Sequence, residues 1–278
     1  MDPRVPQIFS LALLLLLGTQ WKSFPLDWRS AVALVLVVTF LQMLLLPRRS
    51  LLSGFISVLS VLLLLRCRAW PWYALAGGLV VFSKRWVGTA SGHLFNPANF
   101  AIVCLLLLFP SYCWVSFGQW GFEHWLLGLM VALGGAVTSK ARTLSVSLGF
   151  LGSYGLLLFL RVHYLEQAGG VWVQQMQSGS LLVFSFFMIS DPRTVPVRLW
   201  ARGLFVAVVA LLAFIFRFNY DEPNGLFYAL FLMAPLTPFI DNLTKSKRYD
   251  WQPVNTTTTY FGGFQNFSRQ WLLRVLRR

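Results

Sequence analysis

Acidic side chains are scarce in this chain: nine Asp and Glu stand among 278 residues, against 23 Lys and Arg. Charged residues of both signs make up only 12%, about half of what a soluble domain carries. A water-soluble body of this size is therefore excluded. Cysteine is also sparse. Cys67, Cys104 and Cys113 form no C-x-x-C and are odd in number, so no disulfide framework or zinc site follows, and they read as small packing residues. There are three histidines, and no pair has the spacing expected for two haems on facing helices. Walker, G-x-S-x-G, H-E-x-x-H and G-x-G-x-x-G motifs are absent, which removes the common hydrolase and ATPase readings.

What the chain has is apolar surface: 57% of residues are hydrophobic and the mean hydropathy is +0.65. The net charge of +14 would point to nucleic acid in a soluble protein. Here the Lys and Arg sit at the ends of apolar runs, as a positive-inside bias and anionic lipid produce, so the partner is a lipid bilayer and not nucleic acid. Trp21, Trp28, Trp70, Trp72, Trp86, Trp114, Trp120 and Trp125 lie mostly at segment ends, where interfacial belts form.

The predicted fold class is all-α: a polytopic integral membrane protein of eight to ten segments, with an internal repeat and two short broken or re-entrant helices. Apolar segments fall at 7–21, 30–47, 51–65, 70–83, 98–117, 122–138, 143–160, 178–190, 199–216 and 225–241. The segments at 70–83, which contains Gly77-Gly78, and 178–190 are short for a span, which needs about 20 residues. They read as broken or re-entrant. His124 and His163 are expected in loops.

Two polar breaks organise the rest. Leu181–Pro196 (LLVFSFFMISDPRTVP) runs apolar and then meets Ser190-Asp191-Pro192-Arg193 without a polar transition. Pro192 cannot continue a helix without losing a backbone bond, and a carboxylate at membrane depth is costly unless paired or functional. Leu79–Ser83 followed by Asn96-Pro97-Ala98-Asn99-Phe100 is the earlier counterpart. Asn96 is placed as an N-cap with Pro97 at the first helical position. Such a helix start offers free N–H groups and a positive dipole end to a carbonyl, phosphate or isoalloxazine edge. Asp191-Pro192 is expected to do the same in the second copy, or Asp191 to pair with Arg193. Phe184, Phe186, Phe187 and Met188 either stack a flat ring or pack against neighbours. His93, three residues before Asn96, is placed to shuttle a proton.

Ser50–Arg66 aligns without a gap on Ser145–Arg161, matching Gly54 with Gly149, Phe55 with Phe150 and Arg66 with Arg161. The divisions that follow are 1–49, two N-terminal helices; 50–142, repeat 1 with the NPAN break; 143–247, repeat 2 with the SDPRT break; and 248–278, a basic cytoplasmic tail whose residues Phe264–Arg278 have amphipathic-helix spacing. If the short elements turn back, the repeats are inverted, with both breaks near the midplane. If they cross fully, there are ten spans and the repeats run parallel. The bias of Lys and Arg is stronger for ten spans, and both arrangements put the N- and C-termini in the cytoplasm, in a bacterial inner membrane.

LFNPANF (Leu94–Phe100) with FMISDPRTVP (Phe187–Pro196) resembles the paired signatures of the D-type membrane component of Rnf electron transport complexes and the related B-type component of the sodium-pumping NADH:quinone oxidoreductase. HLFNPANF with FFMISDPRT is similar to small stand-alone relatives of those components, including membrane proteins of enediyne biosynthetic clusters. The resemblance covers roughly residues 50–243. It implies an inverted-repeat helical fold related to urea-channel architecture, flavin-dependent electron transfer, and a redox partner subunit. The positions carried over are Asn96, Pro97, Asp191, Pro192 and Thr194, to which the residues themselves add Asn99 and His93. The S/D-G-A-T motif that carries covalent FMN in the electron-transport members is absent. Thr89-Ala90-Ser91-Gly92 and Gly135-Ala136-Val137-Thr138 are partial echoes.

The expected function is membrane electron transfer, with FMN or riboflavin (or a quinone) held noncovalently between the broken helices. As an enzyme, the chain would be one component of a flavin-dependent oxidoreductase. The alternatives are a small-solute channel or permease on the same scaffold, or a non-catalytic assembly component.

Overall fold

The computed structural model describes residues 2, 4–21, 26–46, 51–89, 92–116 and 124–244. The tail from residue 248, with its expected amphipathic helix, lies outside them, as do Ala90, Ser91 and Trp120. The helices are α1 (Arg4–Trp21), α2 (Trp28–Leu45), α3 (Leu51–Leu64), α4 (Trp70–Trp86), α5 (Pro97–Leu108), α6 (His124–Lys140), α7 (Leu144–Tyr164), α8 (Gly169–Met176), α9 (Gly179–Val183), α10 (Leu199–Asn219), α11 (Gly225–Met233) and α12 (Leu236–Leu243). A π-helical turn, Phe184–Met188, continues α9.

Among the described residues three helices, α2, α7 and α10, are long and apolar enough to cross a membrane, or four if α11 and α12 count as one bent span. Shorter apolar helices lie at 4–20, 51–64, 97–108, 125–140 and 179–188. Their outer faces are apolar. On α2 Leu36, Phe40 and Met43 are exposed, while Ser30 and Gln42 are buried with Leu34 and Val38. A soluble helix puts its polar residues outward; this arrangement suits lipid. Trp28, Trp70, Trp86, Trp114 and Trp125 are exposed near segment ends.

Several expected boundaries move, each for a local reason. The segment 98–117 is not one helix. α5 ends at Leu108, Phe109 caps it, and Pro110 follows, which disfavours α geometry at the residue before it. The freed chain forms a strand, so the class is not purely helical. β1 (Leu65–Cys67) pairs antiparallel with β4 (Cys113–Val115), and β2 (Gly88–Thr89) with β3 (Gly92–His93). The expected span 225–241 bends by 42° between α11 and α12, where Pro235 caps α12 and cannot donate to the preceding turn. His163 lies in the last turn of α7, over Phe159, and His124 opens α6; neither sits in a loop.

Gly77-Gly78 is not a break either. It lies inside the continuous helix α4, and the break comes after Trp86. A Cβ on Gly77 would stand 3.1 Å from Val37 Cγ1 and 3.3 Å from Val38 Cγ2, whereas Gly78 faces open space. Gly77 therefore lets α4 approach α2. Gly77→Leu is expected to destabilise the protein by about 2 kcal/mol through overpacking. Gly78→Ala should be neutral or slightly stabilising, because Ala loses less backbone entropy. Thermal unfolding of the two variants in detergent checks the contrast.

Two matched pairs of the sequence repeat differ in environment. Phe55 is exposed and Phe150 fully buried. Arg66 is buried and donates to the Leu62 and Leu65 carbonyls, at 2.6 and 2.7 Å. Arg161 lies over the Phe218 ring, 4.2 Å from its centroid. A different correspondence exists in the packing. α2 packs extensively on α4 and α7 on α10; α4 meets α5 and α10 meets α11; α1 meets α3, and α6 meets α9 with its π-helical turn.

Candidate functional site

The site forms where the two polar breaks touch. Asn96 starts α5 as expected: its side-chain oxygen accepts from the N–H groups of Ala98 (3.1 Å) and Asn99 (3.2 Å), and Pro97 follows it. This uses two of the orphan donors of a helix start. The amide nitrogen remains, and it donates to the Met188 carbonyl at 3.2 Å. That carbonyl lies at the end of the π-helical turn and also accepts from the Asp191 N–H at 3.4 Å. One asparagine thus caps its own helix and ties down the end of the other broken helix.

Asp191 behaves differently from its expected role. No helix begins at Pro192. Residues 192–194 form a turn, and α10 starts only at Leu199, with Arg198 as its cap. Pro196 supplies the reason, since it lacks an N–H and holds Val195 away from helical geometry. Asp191 instead closes the turn. Its Oδ1 accepts from the Arg193 N–H at 3.1 Å, and its carbonyl accepts from the Thr194 N–H (3.0 Å) and hydroxyl (3.2 Å). The contact with Arg193 runs through this backbone N–H. The other oxygen, Oδ2, lies 3.2 Å from His93 Nε2. His93 sits on β3, whose short pairing with β2 holds the imidazole toward the second break.

Around this pair the charge is positive. Lys84, at the end of α4, donates to Ser53 Oγ at 2.9 Å and lies within electrostatic reach of Asp191 and Arg193. Sequence reasoning misses Lys84 and Ser53 as members of the site. The usable signal is the place of Lys84 directly after LVVFS, in the stretch singled out for its break. Behind the second break, Thr237 Oγ1 donates to the Thr194 carbonyl at 2.9 Å, and Asp241 Oδ1 accepts from the Val197 N–H at 3.0 Å. Both sit on α12, whose bend brings them there. Asn99, buried, donates to the Phe227 carbonyl of α11 at 3.2 Å.

All seven expected residues, His93, Asn96, Pro97, Asn99, Asp191, Pro192 and Thr194, therefore lie at or beside one junction. Among the described residues, three buried polar atoms on the elements of this junction lack a hydrogen-bond partner: Ser83 Oγ, Asn99 Oδ1 and Arg193 Nε. Buried groups of this kind are rarely left unpaired without a reason. The four apolar residues of the break resolve toward packing. Phe184 is fully buried and meets Phe150 and Phe227, with ring centroids 5.3 and 5.7 Å away, and Phe186, Phe187 and Met188 are buried as well. Of the partial echoes of the flavin motif, Thr138 is buried and donates to the Gly134 carbonyl at 2.8 Å. Its hydroxyl is thus engaged inside α6.

Comparison with known proteins points to the family that the two motifs resemble. Residues 114–250 match the model of the NQR2, RnfD, RnfE family, a stretch that holds Asp191-Pro192 but not Asn96-Pro97. The chain is 24% identical over 318 residues to the D-type component of the ion-translocating oxidoreductase complex of Stutzerimonas stutzeri, covering 86% of this chain and 90% of the relative. Two shorter matches cover less than half of the relative's own length. One is the same component in Vibrio atlanticus, 27% identical over 50% of this chain and 40% of the relative. The other is the D-type component of the proton-translocating ferredoxin:NAD(+) oxidoreductase complex of Clostridium ljungdahlii, 25% identical over 44% and 37%. With its lipid-suited helices and these relatives, the chain is an integral membrane protein similar to the NQR2, RnfD, RnfE family.

Proposed function

We propose that this protein transfers electrons within a membrane complex, holding a flavin or quinone ring noncovalently at the junction of its two breaks and passing electrons to a partner subunit. The observation that carries this reading is the direct junction of His93 with Asp191 and of Asn96 with Met188, beside buried polar atoms that lack partners. Relatives named as components of ion-translocating oxidoreductase complexes support it.

The donor set fits such a ring. Ser83 and Arg193 would donate to a ring carbonyl or phosphate, and Asn99 Oδ1 would accept from a ring N–H. Lys84 and Arg193 favour a group that gains negative charge. His93 holds or moves a proton at its ring nitrogen, and Asp191 fixes that ring. When bound, the group supplies the redox chemistry, taking up and returning electrons. Attachment is noncovalent in this reading, since the chain has no S/D-G-A-T motif.

The architecture that goes with it is two halves of five membrane segments each, α1–α5 and α6–α12, with the short α8 outside the count. The repeated neighbour pattern supports this division. Five is odd, so the halves run in opposite senses, and ten segments put both termini on one side, the cytoplasmic one by the distribution of Lys and Arg.

The test is the near-ultraviolet and visible spectrum of the full chain purified in mild detergent, before and after acid precipitation. A flavin spectrum that leaves with the supernatant is expected. Colour that stays in the pellet overturns noncovalent attachment. A colourless protein that stays so after incubation with FMN, riboflavin and a quinone overturns the redox reading, and solute flux in proteoliposomes then tests the channel.

A further inference from the structure

Two of the three cysteines, far apart in sequence, face each other across the β1–β4 pair. Cys67 stands opposite Cys113, with Leu65 opposite Val115 and Arg66 opposite Trp114. The hydrogen bonds set the type of each pair. The Arg68 N–H donates to the Tyr112 carbonyl and the Ser116 N–H to the Leu64 carbonyl. Antiparallel ladders alternate, so Cys67–Cys113 falls at a non-hydrogen-bonded position, where Cα atoms lie about 4.5 Å apart and side chains are closest. That spacing is within the range a disulfide needs, about 4.4–6.8 Å. The sulfurs are already in contact, at 2.6 Å. Cys113 is buried and Cys67 is partly exposed, so one member of the pair can be reached from outside and the other cannot. Cys104 lies within α5, away from the strands.

The strand pair sits at the N-terminal end of α4, whereas Lys84 and the His93–Asp191 junction sit at its C-terminal end. The helix has 17 residues, which separates the two places by roughly 25 Å. The pair is thus distinct from the proposed cofactor site. The strands also join the exit of α3 to the exit of α5, so a bond here would lock those two helix ends together.

We propose that Cys67 and Cys113 are a dithiol that converts to an intramolecular disulfide by exchange with an external disulfide. The partly exposed Cys67 thiolate attacks the donor disulfide, forming a mixed disulfide and releasing one donor thiol. The Cys113 thiolate then attacks the Cys67 sulfur and releases the second. Two protein thiols are oxidised, one donor disulfide is reduced to two thiols, and the two protons leave with them.

The experiment uses full-length protein in isolated membranes, equilibrated in glutathione buffers from fully reduced to fully oxidised, quenched in acid, and labelled with a maleimide polymer that adds mass per free thiol. The expected result is a single step from three labelled cysteines to one, Cys104, with the intact mass falling by two hydrogens. Cys67→Ser should abolish the step and keep two labels at every ratio, and Cys104→Ser should leave the step in place. Three labels in fully oxidised glutathione overturn the proposal. So does a mass raised by bound glutathione with no internal bond, or a step that survives Cys67→Ser.

Discussion

Asp191→Ala will both weaken the fold and strip the proposed cofactor site. The carboxylate is mostly buried, at 15% exposure, and it does two jobs. It closes the turn after Pro192, and it faces His93 from across the junction with Lys84 and Arg193 nearby. Removing one partner of a buried charged cluster typically costs about 3–5 kcal/mol, because the remaining charges lose their compensation. The expected reading is a melting temperature lower by roughly 6–20 °C for a protein of this size, together with at least a tenfold loss of bound chromophore while the protein stays in the membrane. Asp191→Asn separates the two jobs. The amide oxygen keeps the turn and the amide nitrogen still meets His93, so only the charge is lost. If Asn matches wild type in stability and chromophore, Asp191 is a turn closer and nothing more. If Asn retains stability but loses chromophore, the charge belongs to the ring site.

The second large effect is at Gly134. A Cβ there would stand 2.5 Å from Phe186 Cβ and 2.9 Å from its Cδ2, where carbon contacts prefer about 3.5–4.0 Å. Phe186 Cβ is fixed to the backbone of the π-helical turn, so no rotamer relieves the clash. Gly134→Ala is expected to cost about 3 kcal/mol, at the upper end for overpacking, and to loosen the end of the broken helix that presents Met188 to Asn96. Its neighbour Gly135 faces open space, so Gly135→Ala should be neutral or stabilising by about 0.5–1 kcal/mol. Phe186→Ala removes the ring but keeps its Cβ, so the double variant should be rescued only in part. Thermal melts of the four proteins in detergent give the answer. Equal melting temperatures for Gly134→Ala and Gly135→Ala would mean that α6 does not contact the turn this closely.

Much of the local structure is legible in the residues. Asn96-Pro97 announces a helix start, and the side chain caps as its chemistry requires. Apolar runs mark most helices to within a few residues. Two expected spans are cut or bent at a proline, since Pro110 follows the end of α5 and Pro235 bends the last span, and Pro196 keeps a helix from starting at Pro192. Proline acts on the residue before it and on the turn behind it, so its effect reaches beyond its own position. Gly77-Gly78 reads ambiguously because glycine serves equally for a break and for a close helix contact. Only the neighbouring Val37 and Val38 tell which.

The sequence by itself determined that the chain lives in lipid and that its two polar breaks hold the costly groups, because composition and a carboxylate beside Pro192 are local properties. The tertiary structure alone decided what those groups meet. It brought His93 to Asp191, Lys84 to Ser53 and Cys67 to Cys113. In a chain this rich in leucine, aligned apolar runs say little about partners, since almost any such helix faces lipid or another helix equally well. Which face is buried is settled by small residues and polar pairs that meet only once the helices have packed.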